Sequence, residues 1–351
     1  MNLLLCVIAA FFSLFPLPSY ASSSTQQSFQ LGFEYDSNTF KSLSNTQSDF
    51  LTRALFQAEG KIHTPSKAQF SWQYQGGAKK YFLHSEQDLF IQYISGDLKI
   101  PMSSLGVFYI HSQMKYQNEK DKKDSSLLDV NEDYYLLGTE VGTQFILPLD
   151  TILGLEQGLT YFDFNDANDF SYVHANSQLQ LYRNIGSKLR FGSSYRFSRQ
   201  DFGLSNRIDR AHVFSFFGQW RGIPYFSLQY SYTDSQSSIK NFSFQSHRFS
   251  LLHSWVFGGK SMENPKYGLH MIGNLQLKKY PTIVFVDDEG QRLLLTDSED
   301  ENFNSFVCKF SIHPKKNLSI ETKTSIVLDN FSSQNQSFRR ITNYVGLRVD
   351  I

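Results

Sequence analysis

The feature that most restricts what this chain can fold into is the period of its side chains. From about residue 27 onward, apolar and polar residues alternate one by one, and a helical 3.6-residue period is hard to find. In "FQLGFEYDSN", Phe29, Leu31, Phe33 and Tyr35 alternate with Gln30, Gly32 and Glu34 before Asp36, Ser37 and Asn38 break the pattern. In "AQFSWQYQGG", Phe70, Trp72 and Tyr74 alternate with Gln69, Ser71, Gln73 and Gln75. In "SKLRFGSSYRFSRQ", Leu189, Phe191, Tyr195 and Phe197 face away from Lys188, Arg190, Ser194 and Arg196. Each stretch reads as a strand with one apolar and one polar face. Aromatic residues make up 16% of the chain while all hydrophobic residues reach only 40%, so the aromatics stand in alternation rather than in the runs of an all-apolar core.

Marking each run predicts sixteen strands, near residues 27–36, 50–63, 67–82, 86–99, 104–117, 132–147, 151–164, 170–183, 187–200, 209–221, 224–235, 244–257, 267–280, 302–313, 317–329 and 338–351, with fourteen as the alternative count. Most exceed the usual globular strand of about 5–6 residues. The connections alternate in length. Short joins such as "TPSK", "IPMSS", "PLD", "NIG", "GIP" and "HPKKN" take turns with longer polar segments such as "DSNTFKSLSNTQSD", "NEKDKKDSSLLDVN" and the stretch from Pro281 to Glu301. The tight join near His84 is the one short member of the longer set. This pattern predicts an all-β fold, a closed antiparallel transmembrane barrel with short periplasmic turns and longer extracellular loops. In hydrocarbon every backbone N–H and C=O must be paired, so a sheet spans only by closing on itself. A large soluble all-β protein, the alternative, has no need of alternating loop lengths. Aromatics gathered at strand ends are expected to form the interfacial girdles: Tyr81 and Phe82, Tyr134 and Tyr135, Tyr161 and Phe162, Phe170 and Tyr172, Trp220 and Tyr225, Trp255 and Phe257.

The two ends add to this. "MNLLLCVIAAFFSLFPLPSYA" is an apolar run broken by Pro16 and Pro18, with small residues at Ser19 and Ala21, and reads as a cleaved signal peptide over residues 1–21. The single barrel domain then covers 22–351 and holds one cysteine, Cys308, so no disulfide framework is available. Lys plus Arg and Asp plus Glu number 33 each, a balance that argues against nucleic acid as a partner.

Catalytic chemistry is sparse. There is no G-x-S-x-G and no H-E-x-x-H. The pairs His84-Ser85, His111-Ser112 and His253-Ser254 invite comparison with Ser/His phospholipase sites, but none is followed by the Asn that such a site uses. Asp287-Asp288 and Asp297 to Glu301 read as solvated acidic loop, with a milder role in sharing divalent cations with lipopolysaccharide phosphates. The nine histidines lack metal-ligand spacing, so no metal, no cofactor and no enzyme activity is expected.

What remains is the lumen. Alternation places Glu34, Arg53, Glu59, Gln73, Gln75, Glu140, Glu156, Lys188, Arg190, Arg196, Lys309, Glu321, Lys323 and Arg348 on the inward face, as candidate pore-lining residues. A barrel of about 16 strands is wide enough for water, whereas one of about 8 is filled by its own side chains. Lys188, Arg190 and Arg196 form a possible anion-attracting stripe, set against a charge-balanced wall with no preference.

Two short stretches carry resemblances. "NYVGLRVDI" resembles the C-terminal strand signal read by the outer-membrane insertion machinery, with Ile351 where that signal usually has Phe. Tyr35, Asp36, Ser37, Asn38 and Phe40 resemble the Y-D-(S/D)-N-x-F first-strand stretch of Gram-negative barrels. These include exopolysaccharide-associated barrels and the barrel part of surface-lipoprotein assembly modifiers. In size and strand count the chain also resembles general porins, although the loop from about Gln117 to Asn131 is shorter than their inward-folded constriction loop. The resemblances imply an outer-membrane barrel that meets lipid and lipopolysaccharide, and the insertion machinery during biogenesis. Two functions are expected to compete: a porin-like channel for passive passage of small hydrophilic solutes, and a non-enzymatic accessory barrel for export or assembly of surface polysaccharide or lipoprotein.

Overall fold

A computed structural model describes residues 22–39, 46–102, 105–119, 133–164, 171–203, 205–239, 242–258, 265–279, 304–329 and 338–351. The expected signal peptide, Phe170 and the Pro281–Glu301 acidic stretch lie outside the described residues.

Sixteen strands follow one another in chain order. They are β1 (Ser22–Asp36), β2 (Asp49–His63), β3 (Gln69–Tyr81), β4 (Leu89–Met102), β5 (Gly106–Glu119), β6 (Tyr134–Leu147), β7 (Thr151–Phe164) and β8 (Tyr172–Ile185). The second half comprises β9 (Leu189–Phe202), β10 (Arg207–Trp220), β11 (Tyr225–Ser237), β12 (Phe244–Phe257), β13 (Tyr267–Lys279), β14 (Asn304–Lys315), β15 (Leu318–Asp329) and β16 (Phe338–Asp350). Each strand pairs antiparallel with its neighbours in sequence, and β1 pairs with β16, so the sheet closes with no free edge. The count is sixteen, not the alternative fourteen.

The register carries one face right around the ring. Phe33 pairs with Val345 and with Thr52, and Leu31 with Leu347 and Ala54, so apolar residues stay outside from strand to strand. Leu31 is 53% exposed, Phe33 64% and Val345 56%. In water so wide an apolar surface is a liability, and in hydrocarbon it is what the solvent requires. On the inside the usual order is inverted: among the described residues, buried polar side chains outnumber buried apolar ones. No described helix is long and apolar enough to cross a membrane, so any crossing belongs to the strands.

Two details differ from the alternation. β1 begins at Ser22, five residues before the pattern does; Ser22–Gln26 pair only with β2, whereas the C-terminal segment joins from Gln27, which exchanges backbone bonds with Ile351. The tight join near His84 contains a single 3₁₀ turn, Ser85–Gln87. Its backbone is held by acids rather than by length: Asp49 Oδ2 accepts from the Leu83 and His84 amides, both at 2.9 Å, and Asp88 Oδ1 accepts from the Tyr81 amide at 2.9 Å. At the opposite rim, the β8–β9 turn uses Gly186 in the left-handed region, φ +58°, where a side chain would be strained.

Candidate functional site

The lumenal wall is built by parity. Residues paired across strands share a face, so the chain of partners Gly32–Arg53–Lys79–Leu89 fixes which residues look inward on β1 to β4. The same bookkeeping puts Glu34, Arg53, Glu59, Gln73, Gln75, Glu140, Glu156, Arg190, Arg196, Lys309, Glu321, Lys323 and Arg348 on one face. Lys188 stands apart. It lies in the β8–β9 turn, and its Nζ sits 5.7 Å from the ring centroid of Trp220.

The wall around the closure, β14 through β3, is an ion-pair lattice. Lys79 Nζ donates to Glu34 Oε1 at 2.9 Å, and Arg53 Nη1 lies 3.6 Å from Glu34 Oε2. Lys309 Nζ is 2.8 Å from Glu321 Oε1, while Gln30 donates to the other carboxylate oxygen. Nearer the long-loop rim, Arg340 grips both oxygens of the fully buried Asp36, its Nε 3.0 Å from each. A fork-to-fork pair of this kind joins geometric specificity to charge. The lysines and arginines keep contact with water, since Arg53 and Lys79 retain about a quarter of their accessible surface.

On β4 to β8 the wall opens into a cavity of about 620 Å³ lined by Asp97, Lys99, Tyr109, His111, Glu140 and Glu156. Asp97 Oδ1 is 2.8 Å from His111 Nδ1, and Tyr109 Oη donates to Glu156 Oε2 at 2.7 Å. Tyr109 lies flat over Gly142 of the next strand, where a Cβ would meet its ring at 2.5 Å. Tyr344 covers Gly346 in the same way. Pairing tyrosine with glycine keeps these large rings against the wall and out of the lumen. Further round, Arg196 Nε donates to Gln178 Oε1 at 2.6 Å, and Arg190 donates to Asn184 at 2.9 Å while its guanidinium covers the Tyr182 ring at 4.4 Å. The two arginines thus lie along β8, held by neutral partners.

The third region was not expected. At the long-loop mouth an arc of stacked side chains runs along the inside. Tyr134 stacks on Phe162 (centroids 4.7 Å), Phe162 on Tyr172 (5.1 Å, 5° between planes), and Tyr172 packs against Phe202 at 5.2 Å. Arg207 lies between Phe202 and Phe242, 4.3 and 3.8 Å from their centroids, and chelates Asp209 through its Nε at 3.1 and 2.9 Å. Tyr81, Tyr134, Phe162, Tyr172 and, at the short-turn rim, Tyr225 therefore face inward and do not belong to an outer girdle. In each adjacent aromatic pair one member must point in, and Tyr134 and Phe162 found their partners in the arc. The sequence signal was that doubling, Tyr134-Tyr135 and Tyr161-Phe162, which a one-faced girdle cannot use.

Alternation also disposes of the two His-Ser pairs that lie on strands. His111 meets Asp97 inside while Ser112 bonds Thr139 outside, and Ser254 meets His270, 2.7 Å away on β13, rather than His253. Among the described residues no group of three His, Cys, Asp or Glu side chains is placed to hold a metal ion.

No protein-family model matches the chain, and no curated protein does. Solved structures similar to it include a bacterial polysaccharide outer membrane secretin, at 7% identity and a TM-score of 0.46 over 93% of this chain and 98% of that one. A triple mutant of the Rh. blastica porin is similar at 8% identity and a TM-score of 0.39, over 94% and 100%. Closure and strand count rest on the pairing register of this chain itself.

Proposed function

We propose that this chain is an outer-membrane channel for passive passage of small hydrophilic solutes. The observation that carries the reading is the inner wall at mid-height: it is charged and open to water, and the buried aromatic cluster lies at the mouth, on β6 to β9. Sixteen strands leave room for an aqueous path. Residues 1–21 direct export, the short turns face the periplasm, and the outer face meets lipid and lipopolysaccharide after insertion by the outer-membrane machinery. The lumen ranks solutes by charge through opposed walls. Asp97, Glu140 and Glu156 lie on one side, and Arg53, Lys79, Lys309 and Lys323 lie toward the closure.

The test is conductance of the refolded mature chain in a planar bilayer, with folding checked by the different gel migration of unboiled and boiled samples. Stepwise currents that scale with salt are expected. A correctly folded barrel that stays silent overturns the channel in favour of the accessory export role. A mature chain soluble without detergent overturns the membrane reading altogether.

A further inference from the structure

The outer surface is not uniformly apolar at mid-height. Gln157 is the seventh of the fourteen residues of β7, and Ser177 the sixth of fourteen in β8. The two are direct cross-strand partners on the outer face, aligned with Val141 on β6 and Phe197 on β9. Both side chains are exposed. They lie in an outward-facing groove of about 470 Å³ whose sides include Phe108, Leu155, Leu179 and Phe197.

Some outward polar groups near mid-strand are satisfied by a neighbour. Asn343 accepts from Thr324 at 2.9 Å, and Ser112 and Thr139 bond each other at 3.3 Å. Gln157 and Ser177 have no such partner among the described residues. Acyl chains offer neither donors nor acceptors, so an unmatched amide at this depth is costly. Whatever covers it must bring polar atoms to the middle of the membrane, and only another spanning protein surface does that.

We infer that this groove is the contact face for a second copy of the chain. The argument is complementarity of partial charge. A primary amide is donor and acceptor at once, so it is complementary to another amide. Two barrels inserted in the same direction are related by a two-fold axis along the membrane normal, which places each residue at the depth of its own copy. Gln157 therefore meets Gln157 of the second copy and bonds it reciprocally, with Ser177 alongside. Leu155 and Leu179 close around the pair and exclude lipid. The inference rests on the membrane-spanning reading.

The experiment uses the full mature chain carrying Cys308→Ser, inserted in lipid vesicles and checked for folding by unboiled gel migration. Gln157→Cys is expected to give a disulfide-linked dimer at about fivefold or more the yield of Val345→Cys, a lipid-facing position on the opposite side of the ring. Gln157→Leu, which suits lipid better than the native residue, is expected to weaken dimerisation about tenfold while the barrel still folds. Equal cross-linking at the two positions, an adduct of any other mass, or a Gln157→Leu chain that dimerises like the parent overturns the inference. A chain that fails to insert overturns the membrane reading on which it rests.

Discussion

The wall around the closure and the wall facing it are held together by opposite means. From β14 to β3 the inner wall is braced by charges in pairs: Glu34 with Lys79, Glu321 with Lys309, Asp36 with Arg340. Across from it, at the long-loop mouth of β6 to β10, the inner side chains are rings in a stack, closed at one end by Arg207 and Asp209. Stacked rings fill space and stabilise whatever packs against them, but they tolerate sliding. A chelated carboxylate does not, since a one-residue slip moves it to the other face. The closure joins strands from the two ends of the sequence, where no short turn fixes the register, and there directional pairs are worth more than area.

The contrast is open to direct attack. Phe202→Ala empties the best buried site of the arc, and a loss of about 4 kcal/mol is expected, read from denaturant unfolding followed by gel migration. Arg340→Met leaves Asp36 charged and buried without its partner and is expected to cost about 3 kcal/mol. The double variant Asp36→Leu/Arg340→Met restores most of that loss if the pair acts mainly by specifying register. If the double variant is as unstable as the single one, the pair holds the closure by its own energy and not by register alone. Lys79→Met is milder, about 1.5 kcal/mol, because Arg53 remains 3.6 Å from Glu34. Smallest is the change in ion preference. Glu140→Gln with Glu156→Gln is expected to lower the cation-to-anion permeability ratio about twofold in dilute salt, fading toward 1 M as the charges are screened.

Much of this architecture can be read in the sequence, because a period of 2 is a local property. Phe29 to Tyr35 announce their strand and its outer face without reference to any other residue. Parity likewise assigns Glu34 or Lys323 to a face. Partners are another matter. Nothing near Asp36 points to Arg340, 304 positions away, and nothing near Asp97 points to His111 until the β4–β5 register is known. Lys188 shows the limit of parity itself, since alternation stops where the chain turns. The mouth arc escaped for a further reason. Aromatic residues at strand ends suit both a lipid interface and an inner stack, and only the direction of each side chain tells them apart.

The pairing of β1 with β16 bears on how the molecule comes into being. Among contacts the chain makes, the bonds between Asp36 and Arg340 span nearly the greatest possible contour length, so they form after almost everything else. Until then the nascent sheet carries two raw borders, one at β1 and one at β16, each a row of unpaired amides ready to recruit any passing strand. A chain cut before Phe338 keeps two such borders for good, at β1 and β15. It is therefore expected to aggregate or be degraded rather than to persist as a fifteen-strand ring, and its yield in membranes should fall far more than the loss of one stave in sixteen would suggest.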